Sequence, residues 1–246
     1  MQELVPTVNP YPILPWDQTA NDITNERARG IANPGDFNSW LEAYNSYINN
    51  GRAESYEEEL KAYGDLEVEG ENKVWHFYIS YDIDFDKAGN ATINRLEDIL
   101  DGQSETLEGY AFSSHTLTNI TRTFVGALSG NGVLRNIDFK SPTVTVLENT
   151  TQAGIIANTI DGGTVTNCNI NNGALIGNVS TKVGIVAGSI TDGTVENCTL
   201  SGLIIGSSSE TADGYMFGSK SGSPTLTNNN NTNVTFSDIN QTDDQP

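Results

Sequence analysis

Two stretches of the chain decide its fold: GIIANTIDGGTVTNC at residues 154–168 and GIVAGSITDGTVENC at residues 184–198. The second begins 30 residues after the first and matches it motif by motif. Each opens with a glycine and two aliphatic residues, and each closes with the pattern V-x-N-C. A fixed period of about 20–50 residues is typical of a solenoid, in which every repeat is one structural unit stacked on the next.

The same two motifs recur on either side of these stretches. The asparagine motif has counterparts at 117–120 (LTNI), 134–137 (LRNI) and 226–229 (LTNN), and the glycine motif at 124–128 (FVGAL) and 214–218 (GYMFG). The asparagines that recur at intervals of 30 or 31 residues are Asn136, Asn167, Asn197 and Asn228. The glycines that recur at intervals of 30 are Gly154, Gly184 and Gly214. Two independent series with one period indicate a repeated fold.

The apolar stretches within each repeat are three to six residues long and rich in Val, Ile and Thr. They suit strands and are too short for helices. Bends such as DGG at 161–163 and NNG at 171–173 separate them. Because one coil cannot bury its own apolar face, stacking must supply the core. We therefore predict an all-β solenoid, a right-handed parallel β-helix of ~30-residue coils. The predicted inward stacks are Leu134, Val165, Val195 and Leu226; Ile137, Cys168 and Cys198; and Phe139, Ile170 and Leu200.

An amphipathic helix is predicted at 36–49, DFNSWLEAYNSYIN, before the repeats begin. Its apolar residues recur at spacings of three and four, Asp36 is the predicted N-cap, and Gly51 follows where a left-handed C-terminal residue is expected. The first coil of a solenoid has an open apolar end. We expect this helix to cap that end, with Trp40 in its apolar face. Period-two alternation then predicts a strand over 74–85, VWHFYISYDIDF.

The chain therefore divides into four parts. These are an extended, proline-containing arm (1–35), a helical cap with the strands that lead into the solenoid (36–110), the parallel β-helix repeats (111–235) and a polar tail (236–246). Residues 1–110 carry 22 acids and 7 bases, and residues 111–246 carry 10 acids and 5 bases, so the net charge changes from −15 to −5 at this boundary.

The formal net charge is −20, from 32 acidic and 12 basic side chains. Such a surface repels phosphate backbones and anionic lipid headgroups, which excludes nucleic acid as an expected partner. No apolar run reaches the ~18 residues that a membrane-spanning helix needs, so we expect no membrane insertion of this chain. A basic and apolar signal segment is also missing from the first residues.

The helix, the D-I-D-F segment at 82–85, the L-T-N-I motif and the alternating glycine and asparagine motifs resemble the GLUG-type β-helix repeats. Such repeats are found in surface and secreted proteins of gut Bacteroidetes, in some large bacterial adhesins and in immunoglobulin-cleaving peptidases. The resemblance covers roughly 36–230 and implies a stalk or binding module with any protease chemistry in a separate domain. It implies an extracellular or outer-membrane location, with which a lipid anchor upstream is compatible. The arm and the acidic stretch 52–73 depart from the pattern.

One segment has the residue spacing of a metal site. Asp82, Asp84 and Asp86 alternate along the predicted strand, and the spacing D-x-D-x-D opens like a calcium-binding EF-hand loop. However, Gly89 comes two positions too late, and Asn94 stands where the closing bidentate Glu is needed. The three carboxylates are either a calcium site or a solvent-facing strand edge, and no other cofactor is expected.

Two features of the repeats have both a functional and a structural interpretation. Cys168 and Cys198 are expected to be neighbours in one inward stack, as an inter-coil disulfide or as two small buried thiols. Directly stacked parallel neighbours have unsuitable Cβ directions for a disulfide, which favours the thiols. The recurring asparagines form either a ligand-binding row or a structural ladder, since Asn tolerates left-handed backbone and stacked amides can bond along the axis.

The repeats contain few groups for catalysis. Their bases are spread over 99 positions, at Arg122, Arg135, Lys140, Lys182 and Lys220. No pair of aspartates is clustered there, and the only histidine is His115. We expect a non-catalytic surface or secreted module for adhesion, with a glycan or a host or bacterial surface protein as its partner. The alternative is a polysaccharide-active β-helix enzyme, a lyase or hydrolase, which clustered acids and Arg on one face would favour.

Overall fold

The computed structural model describes residues 30–238, apart from 71, 88–91, 103–105, 108–109, 112–113, 147–149, 178–181 and 207–214. Most of the predicted arm (1–35) and of the predicted tail (236–246), and Gly214, therefore lie outside the described residues. The fold is a parallel β-solenoid of about 4 turns with helices at its N-terminal side, so the predicted fold class is confirmed.

Three sheets run along the solenoid axis. Sheet A contains, in spatial order, Gly64–Glu69, Asn72–Tyr78, Ile99–Asp101, Val133–Arg135, Thr164–Thr166, Thr194–Glu196 and Thr225–Thr227. Sheet B contains Ile83–Asp84, His115–Thr118, Ile137–Lys140, Asn169–Ile176, Thr199–Gly206 and Asn230–Asp238, with Thr143–Thr145 also paired to its fourth strand. Sheet C contains Ile93–Leu96, Val125–Ser129, Ala157–Asp161, Ala187–Thr191 and Phe217–Ser221. Two smaller pairs are Gln152–Ala153 with Lys182–Val183, and Thr106–Leu107 with Tyr110–Ala111.

The strand register places the predicted inward residues directly above one another. In sheet A, Leu134 pairs with Val165, Val165 with Val195, and Val195 with Leu226. The first three are completely buried, and Leu226 packs against the same core. The other two predicted stacks are buried in the same way: Ile137, Cys168 and Cys198 form one, and Phe139, Ile170 and Leu200 form the other. The core is therefore one continuous apolar column along the axis.

Parallel stacking starts well before residue 111. Phe77 pairs with Leu100 and Leu100 with Leu134, so the cap region already contributes two parallel strands to sheet A, in addition to the antiparallel strand Gly64–Glu69. Ile93–Leu96 likewise pairs with Val125–Ser129 in sheet C. The intervals from Phe77 to Leu100 and from there to Leu134 are 23 and 34 residues, because the connecting segments differ in length. Strands at such intervals carry no signal of the 30-residue repeat.

The cap helix spans Pro34–Asn49 and starts two residues before the predicted position. Its N-cap is Asn33, and the prediction of Asp36 was wrong: the backbone N–H of Asp36 donates to Asn33 Oδ1 at 3.0 Å. Asn33 Nδ2 in turn donates to Asp36 Oδ2 at 2.7 Å. The physical reason is Pro34, whose fixed φ and missing N–H suit the first helical turn. The remaining short helices are Glu57–Leu60 and the 3-10 turns Glu54–Tyr56 and Phe85–Lys87.

The helix closes the N-terminal end of the column with aromatic rings. Trp40 is completely buried, stacks on Tyr44 at 5.4 Å between ring centroids and meets Phe77 edge-on at 5.4 Å. Phe37 meets Phe85 edge-on at 4.9 Å. Residues of the helix, of strand Asn72–Tyr78 and of the coils belong to one buried cluster, so the predicted N-terminal cap is confirmed.

The predicted strand over 74–85 is interrupted. It is resolved into Asn72–Tyr78 in sheet A and Ile83–Asp84 in sheet B. The chain turns from one sheet to the other between them, at the position where the alternation of the sequence breaks. The inward residues predicted from the alternation, all of them buried, are Trp75, Phe77, Ile79, Ile83 and Phe85.

Candidate functional site

The outer face of sheet A is the most regular surface of the described solenoid. Side chains alternate along each strand, so the neighbours of the inward Phe77, Leu100 and Leu134 point outward. The two outward rows, from the first coil to the last, are His76, Ile99, Val133, Thr164, Thr194 and Thr225, and Tyr78, Asp101, Arg135, Thr166, Glu196 and Thr227. Successive members of a row lie about 4.8 Å apart. The later coils thus present short polar groups at even spacing.

The first coils of this face hold a group of polar side chains, which we call the His76 cluster: His76, Tyr78, Asp101 and Arg135. Arg135 Nε donates to Asp101 Oδ2 at 2.7 Å, and His76 Nε2 lies 3.1 Å from the same oxygen. Arg135 Nη2 lies 3.2 Å from His76 Nε2, and the Tyr78 hydroxyl lies 3.0 Å from His76 Nδ1. Three successive strands therefore place an imidazole between a carboxylate, a guanidinium and a phenol.

The cluster is well shielded and electrostatically compensated. Asp101 is 2% exposed at its side chain, His76 13% and Arg135 30%. Both oxygens of Asp101 accept hydrogen bonds, because Asn136 Nδ2 donates to Oδ1 at 2.8 Å. Burial, with the nearby carboxylates of Asp65 and Asp101, raises the pKa of Tyr78 well above its ordinary value. The phenol consequently stays protonated at neutral pH and can donate a hydrogen bond, but it is a weaker acid than an ordinary tyrosine.

Sequence reasoning missed the His76 cluster because it searched for acids and bases within the repeats alone. His76, Asp101 and Arg135 lie on strands at unequal intervals, and only the parallel register brings them together. One signal was available: alternation in WHFY at 75–78 buries Trp75 and Phe77 and so turns His76 and Tyr78 outward.

The structure corrects the placement of one of the three predicted calcium ligands. Asp86 lies in the 3-10 turn Phe85–Lys87 rather than on the strand. Asp82 Oδ1 accepts from the backbone N–H of Thr116 at 2.7 Å, and Asp84 Oδ1 accepts from Asn119 Nδ2 at 2.6 Å. Within the described ranges no group of three or more His, Cys, Asp or Glu residues is placed to hold a metal ion. Two of the carboxylates instead bond to the next coil.

The recurring asparagines all have left-handed backbone, with φ of 58° at Asn136, 51° at Asn167, 54° at Asn197 and 55° at Asn228. Their amides bond along the axis: Asn167 Nδ2 donates to Asn136 Oδ1 at 3.2 Å, and Asn228 Nδ2 donates to Asn197 Oδ1 at 3.3 Å. Glycine adopts this backbone most readily but has no side chain to make such bonds. Asn adopts it more readily than most other residues and also supplies the amide. The geometry matches a structural ladder at two of the three steps between these asparagines.

Two of the recurring glycines, Gly154 and Gly184, lie where neighbouring coils approach each other closely. A Cβ on Gly154 would overlap the backbone of Val186 and Ala187, and one on Gly184 would overlap the backbone of Phe217. Both cysteines are buried free thiols. Cys168 Sγ donates to Leu134 O at 3.6 Å. Burial raises the pKa of the Cys168 thiol and raises that of Cys198 to about 11, so both stay protonated and unreactive at neutral pH.

A buried charge pair ties the cap to the first coil. Asp98 has a completely buried side chain and receives Arg52 Nη2 at 2.6 Å. The Tyr44 hydroxyl donates to Asp98 Oδ2 at 2.8 Å, and the backbone N–H of Trp75 donates to Oδ1 at 2.9 Å. Arg52 follows the cap helix, Tyr44 lies within it, and Asp98 precedes a coil strand. One carboxylate therefore joins three separate parts of the chain.

Comparison of the chain with known protein families, curated proteins and solved structures found no match. Among the described residues no helix combines the length and the hydropathy that crossing a bilayer requires.

Proposed function

We propose that this chain is a non-catalytic binding module of a secreted or surface-located protein, as its resemblance to GLUG-type repeats implies. The observation that carries the proposal is the outer face of sheet A, with its rows of short polar side chains at constant spacing. Such a face offers many equivalent hydrogen bonds to an extended partner and suits avidity better than a single deep pocket does. A glycan or an extended stretch of a surface protein fits this description.

Electrostatics supports a soluble, external binding role over nucleic-acid binding. The net charge of −20 disfavours polyanions. The threonines of the outer face, such as Thr164 and Thr194, can donate and accept hydrogen bonds, but a threonine hydroxyl alone is neither an acid nor a base at neutral pH. Binding without turnover is therefore the simplest chemistry for the later coils.

A glycan array with the purified chain tests the proposal. We expect binding of one or a few extended polysaccharides, weakened by the double substitution Thr164→Ala/Thr194→Ala on the outer face. The matched control is Thr143→Ala/Thr145→Ala, two exposed threonines of sheet B. Equal binding by both double variants would move the site away from the outer face of sheet A. The absence of any bound glycan or surface protein would contradict the proposal.

The alternative function, a polysaccharide lyase or hydrolase, has one specific observation in its favour. The His76 cluster brings a carboxylate, an imidazole, a guanidinium and a phenol within hydrogen-bonding distance on one face. Elimination or hydrolysis needs at least two such groups beside each other. Against this, Asp101 is almost completely enclosed and both of its oxygens are engaged within the protein.

Incubation with a panel of host and plant polysaccharides, followed by reducing-end and unsaturated-uronate assays, separates the two functions. Turnover that His76→Ala and Arg135→Ala both abolish, while Arg122→Ala preserves it, would establish the enzyme. Arg122 is exposed and lies outside the cluster, which makes it the control. Binding without turnover is the outcome expected of the binding module.

A further inference from the structure

The structure has a polar pocket at the junction of the cap and the solenoid, beside the two outward rows of sheet A. Its volume is about 450 Å³, within the range of small-molecule sites. The walls come from three parts of the chain. These are the segment after the cap helix, the start of strand Asn72–Tyr78, and the turns before strands Ile99–Asp101 and Val133–Arg135. The polar side chains that line it are Arg52, Asn72, Lys73, Glu97 and Asn131.

The charged groups of this pocket are held by protein partners. Arg52 binds the buried Asp98 at 2.6 Å. Lys73 Nζ lies 3.0 Å from Glu54 and 2.8 Å from Glu57. Glu97 pairs with Arg95 at 3.0 Å. These pairs bring three positive and four negative groups together, so the pocket has no excess positive charge to attract an anion. The pairs also fix the walls before a ligand arrives, which lowers the entropy cost of binding.

The remaining polar groups are two amides. The side chains of Asn72 and Asn131 are exposed and make no hydrogen bond to any residue within the described ranges. An amide both donates and accepts, whereas Arg52 and Lys73 only donate and Glu97 only accepts. A ligand that complements all of them must itself donate and accept at several neighbouring points. Hydroxyl groups do so, whereas a carboxylate only accepts and an ammonium group only donates.

We propose that this junction pocket binds a neutral, polyhydroxylated ligand, the terminal sugar of a glycan chain. Val74 also lines the pocket and supplies an apolar contact for the C–H face of a sugar ring. The inference rests on the proposed binding function and adds the chemical class of the ligand. It further assigns recognition of a chain end to the pocket, in addition to the lateral contacts of the outer face.

Saturation-transfer difference NMR with the full chain tests the pocket, using glucose, galactose, mannose and N-acetylglucosamine as probes and glucuronate and galacturonate as charged counterparts. At least one neutral sugar should bind, and its uronate should bind at least about tenfold more weakly. The double variant Asn72→Ala/Asn131→Ala should weaken binding by at least about tenfold. The matched control Asn171→Ala, another exposed asparagine, should bind as the parent does. Circular dichroism confirms that each variant is folded.

Three results would overturn the junction pocket: a preference for uronates, unchanged binding by the double variant, or no signal from any neutral sugar. If the glycan array is positive and only Thr164→Ala/Thr194→Ala removes binding, the pocket is refuted while the proposed function stands. If neither the array nor the NMR titration detects a sugar and no surface protein binds, both are refuted.

Discussion

The two ends of the solenoid close in opposite ways. At the N-terminal end, the aromatic face of helix Pro34–Asn49 covers the first coils, and Trp40 is completely buried there. At the C-terminal end of the described residues, polar side chains take two positions that are apolar in earlier coils. Lys220 occupies the row of Ile160 and Ile190, and it is exposed.

A second substitution at the same end follows this pattern. Asn229 takes the position after the recurring asparagine, where Cys168 and Cys198 stand in earlier coils. Its Oδ1 accepts from the backbone N–H of Cys198 at 3.0 Å, and its Nδ2 donates to Val195 O at 2.8 Å. The Asn229 side chain thus satisfies two backbone groups of the preceding coil. One end is covered by a separate element, whereas the other becomes polar within its last coil.

The largest predicted effect is the loss of the aromatic cover. Trp40→Ala should lower the free energy of unfolding by about 3–5 kcal/mol, because it removes a fully buried ring from a packed cluster. Urea denaturation followed by circular dichroism measures this. Glu42→Ala, on the exposed side of the same helix, should change stability by no more than about 0.5 kcal/mol. An unchanged denaturation midpoint for Trp40→Ala would mean that the helix does not stabilise the first coils.

The next effect comes from the charge pair that holds the cover in place. Arg52→Ala leaves the Asp98 carboxylate buried without its counter-ion, which should cost about 2–4 kcal/mol. The matched control is Arg95→Ala, whose pair with Glu97 is largely exposed and should contribute less than about 1 kcal/mol. Equal, small losses for both variants in the same denaturation assay would show that Asp98 does not tie the cap to the coil.

The C-terminal end should respond through association more than through stability. Lys220→Ile restores an apolar row on the strand that ends sheet C among the described residues, so the variant should self-associate as its concentration rises. Sedimentation velocity over about a tenfold concentration range measures this, with the parent chain as reference. Lys140→Ile adds the same side chain in mid-solenoid, where its strand is paired on both sides, and should not increase association. Identical sedimentation of both variants would argue against a protective role for Lys220.

The smallest effect is a difference in thiol protection. Both thiols should resist alkylation at pH 8, because burial keeps them protonated. In urea below the unfolding transition, Cys198 should react about tenfold faster than Cys168, because it lies one coil nearer the polar end. Mass spectrometry after timed alkylation gives the two rates.

The same pKa shift predicts a pH dependence. Since folding keeps the Cys198 proton bound, this contribution to stability is complete below the pKa of an unfolded thiol, about 8.5, and is lost as the pH rises towards the folded value of about 11.

Denaturation without reductant should expose two thiols. Finding none would establish a disulfide, and equal alkylation rates would argue against fraying from the C-terminal end.

The sequence was sufficient to predict what repeats and insufficient for what does not. Leu134, Val165 and Val195 were predicted as one inward stack because the 30- or 31-residue interval sets the strand register. The strand with Leu100 escaped prediction because the segment that connects it to Leu134 is longer than a repeat. The His76 cluster was missed for the same reason. A polar site made by parallel strands depends on three-dimensional register, and unequal connections conceal that register from the sequence.

The local errors have a different origin. Asp36 was chosen as the helix N-cap because acidic residues favour that position, but Pro34 sets an earlier start and Asn33 supplies the cap. Asp86 was placed on a strand by its alternation with Asp84, yet the chain leaves the strand there in a 3-10 turn. Each boundary depends on the tertiary position of one or two residues, which periodicity does not report.

The bonds between the asparagines give the solenoid a direction as well as a spacing. Where Asn167 donates to Asn136 and Asn136 donates to Asp101, the two amide dipoles align head to tail, with their positive ends towards the N-terminus. The two aligned dipoles end on an anion, and each dipole polarises the next. The Asp101 carboxylate therefore accepts at the positive end of these two dipoles, which gives this row of amides a polarity along the axis.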